Sequence, residues 1–196
     1  AGTDNTVFGF MAGAALNSDG VENTLIGDYA GTAITEGDYN TAVGKNALPS
    51  EDVGQSSTAI GYSALGSQNT VNLSHVNNVG VGVNTGYYNG TGTNNTWLGS
   101  NAGVGASGNN NSNNVGVGTS ALLSITTGTR NTSLGRGSGD GLTTANRTVL
   151  IGDSAGSGVL TTDGSGSIPS YADGTVAIGY SALYALTSGA RNTAVG

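Results

Sequence analysis

Asn40-Thr41-Ala42-Val43-Gly44-Lys45-Asn46-Ala47-Leu48 is answered one repeat later by Ser57-Thr58-Ala59-Ile60-Gly61-Tyr62-Ser63-Ala64-Leu65. The same pattern, Asn-Thr-x-apolar-Gly-x-x-Ala-(Gly or Leu), returns along the whole chain. Its central glycine stands at 9, 27, 44, 61, 82, 99, 118, 135, 152, 179 and 196. The spacings between successive copies are therefore 18, 17, 17, 21, 17, 19, 17, 17, 27 and 17. A fixed short period is the signature of a stacked repeat, in which each unit buries its face only against its neighbours.

Each column of the repeat has a physical reading. The residue before the glycine is apolar in all eleven copies, from Phe8 and Ile26 to Ile178 and Val195. Two residues earlier stands Thr or Val, as in Thr24, Thr41 and Val79. Side chains alternate along a strand, so these two columns share one face. An apolar residue at every copy leads to the expectation that this face is the buried one. The central glycine suits a corner or the close approach of a neighbouring chain. Three residues after it the side chain is small, as in Ala30, Ala47, Thr85 and Ser138, and the next position is only ever Gly or Leu. Another glycine recurs seven residues before the central one, at 2, 20, 37, 54, 92, 128 and 189, where a turn with positive φ is expected. The asparagines at 5, 23, 40, 78, 95, 114, 131 and 192 are expected to stack as an amide ladder.

The fold class read from this register is all-β: a parallel β-solenoid of about eleven coils, period near 17, each coil running strand, corner, short strand, loop. Coils rising by about 4.8 Å give a body roughly 50 Å long. Residues 1–196 read as one solenoid domain, since the period resumes after each interruption. The long intervals mark loop insertions at 66–77 and 157–174. The chain stops in mid-repeat and is read as part of a longer fibre.

Composition agrees with a thin core. Glycine accounts for 36 of 196 residues, charged residues for 9%, and there are one Trp, one Met and two Phe. There is no Cys, so disulfides and thiolate metal sites are excluded. A net charge of −7 argues against a nucleic-acid partner. No apolar run reaches the roughly 20 residues of a membrane span.

Conventional chemistry finds little purchase. His75 is the single histidine. The carboxylates are scattered, mostly beside turn residues, so no catalytic residue, metal ligand or cofactor site is assigned. Gly80-Val81-Gly82 and Gly135-Arg136-Gly137 do not continue into a phosphate loop. The aromatic residues are the better lead. Tyr87, Tyr88 and Trp97 crowd together, and Tyr171 sits in the second insertion. Exposed aromatics stack on sugar rings and anchor interfaces, so these four are the candidate contacts to a receptor or glycan.

The stretches Thr58–Leu65 and Val176-Ala177-Ile178-Gly179-Tyr180-Ser181-Ala182-Leu183 resemble the head repeats of trimeric autotransporter adhesins. The form Thr126-Thr127-Gly128-Thr129-Arg130-Asn131-Thr132-Ser133-Leu134-Gly135 is similar to repeats of bacteriophage tail fibres. The resemblance implies a left-handed β-roll and a homotrimer, a virion tail fibre or bacterial cell-surface location outside the cell, and a host-receptor partner. It leads to the expectation of a structural and adhesive fibre segment, not an enzyme, with a phage tail fibre foremost and a bacterial surface adhesin or filament as the alternative. A polysaccharide depolymerase and an ice-binding solenoid rank below these. The ice reading is set aside here because a Thr column on the inner face could not meet ice.

Overall fold

A computed structural model describes residues 2–72, 74–108, 110–158, 173–186 and 189–196. Eleven three-residue strands occupy the positions just before the central glycines: β1 (Thr6–Phe8), β2 (Thr24–Ile26), β3 (Thr41–Val43), β4 (Thr58–Ile60), β5 (Val79–Val81), β6 (Thr96–Leu98), β7 (Val115–Val117), β8 (Thr132–Leu134), β9 (Val149–Ile151), β10 (Val176–Ile178) and β11 (Thr193–Val195). They form one parallel sheet in sequential order. Every pair is in the register of the repeat, with Thr41 on Thr58, Ala42 on Ala59 and Val43 on Ile60. The chain is a β-solenoid of about ten turns, and coils are numbered below by their strands.

The remainder of each coil is built from turns. After the strand comes a corner at the central glycine, with φ of 126–144° throughout the array. A β-carbon on Gly27 would lie 2.6 Å from the carbonyl oxygen of Gly44, so the corner requires glycine both for its φ and for close stacking, and what approaches is the next coil of the same chain. The short second strand expected after the corner is replaced by two tight turns. In coil 4 these hold Ser63 and Leu65 at φ of 52° and 51°, and Ser56, ahead of the strand, is at 63°. Non-glycine residues in this region carry a backbone cost and persist where neighbours fix them. Here the coil-to-coil bonds do so: Ser63 N–H donates to the Lys45 carbonyl (3.1 Å) and Leu65 N–H to that of Thr85 (2.8 Å). The recurrent glycine seven residues before the corner has a different purpose from the one expected. Among its copies only Gly189 has positive φ. The others permit close stacking; a β-carbon on Gly37 would sit 2.5 Å from the Gly54 carbonyl oxygen.

The facing of the strands is the reverse of the sequence expectation. In β2 through β10 the middle residue is buried and its neighbours are half-exposed or exposed. Ile60, Leu98 and Leu134 are 39%, 46% and 48% exposed. The Thr/Val and apolar columns therefore line the outside of the sheet. A three-residue strand sends one side chain inward, and the coil is too thin to take two.

Inside, two columns share one space. In most coils the middle strand residue and the Gly-or-Leu residue six positions later compensate in size, although both are small in coil 5 (Gly80, Gly86) and coil 8 (Ser133, Gly139). Leu25 is matched by Gly31, Ala42 by Leu48, Ala59 by Leu65, Gly116 by Leu122, Leu150 by Gly156 and Ala177 by Leu183. The contacts explain it: a β-carbon on Gly31 would stand 2.6 Å from Leu25 Cδ2. A third column, seven residues past the corner, completes the core with Ile34, Ile125 and Leu142, and with Glu51 and Gln68 in coils 3 and 4. Leu25→Ala alone is expected to cost about 2–4 kcal/mol in urea denaturation, as other buried leucine truncations do. Adding Gly31→Leu recreates the coil 3 arrangement and should return at least about 1 kcal/mol, a coupling that independent sites do not show. A purely additive double variant would contradict the shared space.

The asparagine ladder is present. Asn114 N–H donates to Asn95 Oδ1 (3.0 Å) and Asn131 N–H to Asn114 Oδ1 (3.0 Å), while Asn95 Nδ2 donates to the Asn111 carbonyl (2.8 Å). Ser57, Thr148 and Thr175 stand in the same column where asparagine is missing. The asparagine side chains satisfy buried backbone groups where the coil turns into the strand, whereas Ser57 and Thr148 bond to the side chains of Gln68 and Asn131 and the Thr175 hydroxyl has no partner among the described residues. Asn95→Ala strands the Asn114 amide and the Asn111 carbonyl, and is expected to cost about 2–4 kcal/mol by chemical denaturation. A loss under about 0.5 kcal/mol, typical of a surface position, would refute the ladder's contribution.

Candidate functional site

The aromatic candidates separate into different environments. Trp97 is not a surface contact. It is the middle residue of β6 and 0% exposed. Three glycines make room for its indole: β-carbons on Gly86, Gly103 and Gly116 would lie 2.7, 2.3 and 2.8 Å from ring atoms. Among the described residues its Nε1 has no hydrogen-bond partner, so the residue acts as a volume filler across coils 5 to 7. Tyr171 lies outside the described residues, as does most of the second insertion.

Tyr87 and Tyr88 do reach the surface, and the structure adds partners that sequence reading missed. They pack edge to face, with centroids 4.7 Å apart and an 83° interplanar angle. The Tyr87 ring lies over Gly66, where a β-carbon would be 2.5 Å from Cε2. Tyr88 is 38% exposed, and Tyr62, at the corner of coil 4, is 51% exposed. Ser63, Asn84 and Asn101 join them around an open cleft of about 420 Å³. Asn84 and Asn101 stack at coil spacing, with Nδ2 to Oδ1 at 3.5 Å. All three of these polar residues take left-handed φ, which turns the backbone so that the repeat position lies beside the corner. The signal for Asn84 and Asn101 was their common place two residues after the glycine, in adjacent coils.

The other chemistry-bearing groups are occupied in holding the coil. Glu51 is fully buried and accepts from Gly54 N–H (2.9 Å), Thr70 N–H (3.0 Å), the Thr70 hydroxyl (2.8 Å) and Gln68 Nε2 (2.9 Å). Gln68 passes the network on to Asn78 and Ser57. This polar segment anchors the first insertion to the core, because every buried oxygen needs a donor. Asp38 accepts from Val21 N–H (2.9 Å) and Asp173 from Asn146 N–H (2.6 Å), while Thr35 bonds to Asp52. Arg136 and Asp153 form a bidentate surface ion pair (3.0 and 2.9 Å). His75 Nδ1 is 2.9 Å from the Ser56 hydroxyl on the surface. Among the described residues no group of three or more His, Cys, Asp or Glu side chains could hold a metal ion, and no helix is long and apolar enough to cross a membrane.

Comparison of the chain with family models, curated proteins and solved structures finds no match. Fold and chemistry therefore define the class: a parallel β-solenoid with an outward apolar sheet face and an aromatic, asparagine-lined cleft.

Proposed function

We propose that this solenoid is a structural and adhesive segment of a homotrimeric fibre, of the kind carried by phage tails, that works outside the cell by presenting its surface to a host receptor. The observation that carries this reading is the outward face of the sheet. An apolar residue occupies the same outward position in all eleven coils, beside a Thr/Val column, on one continuous parallel stack. A contiguous apolar strip of this length marks an association surface. A second chain covers it most simply, since identical coils keep identical rise and register, and three chains around one axis close the set. The left-handed β-roll trimer implied by the repeat resemblance has this arrangement. The same assembly would serve a bacterial surface adhesin, and in either setting the role is non-catalytic.

The chain has no cysteine of its own, which makes the test direct. Leu98→Cys places a thiol on the outward apolar column, whereas Thr119→Cys places one on the exposed side beyond the corner. Mild oxidation is expected to cross-link the Leu98→Cys chains to one another and leave the Thr119→Cys chains single. Equal cross-linking of both, or none from Leu98→Cys, would refute the interface.

The Thr column faces outward and not inward as expected, so it is placed where it could meet ice. The four Val replacements and the adjoining apolar column favour protein contact. Measurable thermal hysteresis at micromolar protein would reverse that preference.

A further inference from the structure

We propose that the cleft spanning coils 4 to 6 binds a neutral pyranose sugar, with Tyr62 and Tyr88 offering ring faces and Asn84 and Asn101 offering amides. The inference rests on the attachment reading for its biological sense and on the cleft's own geometry for its chemistry. Its volume of about 420 Å³ falls within the roughly 300–1,000 Å³ of small-ligand sites. Among the described residues no charged side chain lines it. An anionic ligand would find no cation there and would also meet a chain of net charge −7. A purely apolar ligand would leave the amides unpaired. A neutral pyranose matches both features: its C–H face stacks on an aromatic ring, and vicinal hydroxyls each donate and accept, as a primary amide does.

The site is also preorganised. Tyr87 is wedged over Gly66 and holds Tyr88 edge-on, so little rotamer freedom remains to be lost on binding. Asn84 and Asn101 are fixed by the coil spacing, and their backbone N–H groups donate to the Tyr62 and Val83 carbonyls (2.9 Å each). Tyr180 occupies the repeat position of Tyr62 in coil 10 and is 79% exposed, but it has no comparable tyrosine pair beside it among the described residues. It is the natural control.

The test applies the intact chain to an array of neutral and anionic oligosaccharides and measures hits by calorimetry. Neutral saccharides are expected to bind. Tyr62→Ala and Tyr88→Ala should each weaken binding about tenfold, the loss of roughly one stacking contact of about 1.4 kcal/mol. Tyr88→Phe keeps the ring and should bind within a few-fold of the parent, and Tyr180→Ala should bind like the parent. Circular dichroism confirms that each variant remains folded. An array with no neutral hit, or hits that survive the Tyr62→Ala/Tyr88→Ala double variant, overturns the site. Adhesion to a panel of bacterial strains separates the two readings. Cell binding that persists without any saccharide hit overturns the sugar site and leaves attachment standing, and saccharide binding without cell binding does the reverse.

Discussion

Trp97→Ala is expected to destabilise the chain by about 3–5 kcal/mol, among the largest effects of any single substitution in it. The indole spans three coils, and the glycines at 86, 103 and 116 bring no side chain of their own into its space. The middle of the array is also where damage spreads furthest, since each coil is held by its two neighbours alone. Trp97→Phe separates the causes. It retains most of the ring volume and removes an N–H that has no partner among the described residues, so its cost should stay below about 2 kcal/mol. Adding Gly103→Leu to Trp97→Ala supplies the arrangement used in coils 3 and 4 and should recover part of the loss. Urea denaturation followed by far-ultraviolet circular dichroism measures all three. A Trp97→Ala variant as stable as the parent would mean that the indole is not a core residue.

The second large effect concerns assembly. Ile60→Asp and Leu98→Asp each put a carboxylate on the outward apolar column, and in a threefold assembly every substitution places three of them together. Burying an uncompensated carboxylate costs several kcal/mol, and each loss of about 1.4 kcal/mol lowers association roughly tenfold. The double variant is expected to be monomeric at micromolar concentration. Because both side chains point away from the coil interior, each chain should keep its circular dichroism spectrum. Unfolding of the isolated variant would mean instead that these residues stabilise the coil itself.

Much of the fold was legible because the period is nearly constant. All eleven strands fall where the central glycines place them, and the asparagine column forms the expected ladder. The facing of the strands was not legible. In a compact domain an apolar residue at every repeat lies inside, whereas here the inside is divided between two columns that vary reciprocally, such as Leu25 with Gly31 and Ala42 with Leu48. Neither is uniformly apolar, so each looks less like core than the strip that faces out. Trp97 misled for the same reason. A lone indole beside two tyrosines reads as a surface patch until Gly86, Gly103 and Gly116 are seen as the space it fills. For the cleft, Tyr87 and Tyr88 were visible in sequence. Tyr62, Asn84 and Asn101 join them through coil stacking, which brings positions from separate repeats to one surface.

The claim that the outward columns are a chain–chain interface is tested most directly by the solution mass of the purified protein, measured by light scattering across a dilution series. A trimer predicts a particle of three times the 19.1 kDa chain mass that persists on dilution. A folded species that stays at 19.1 kDa would contradict it.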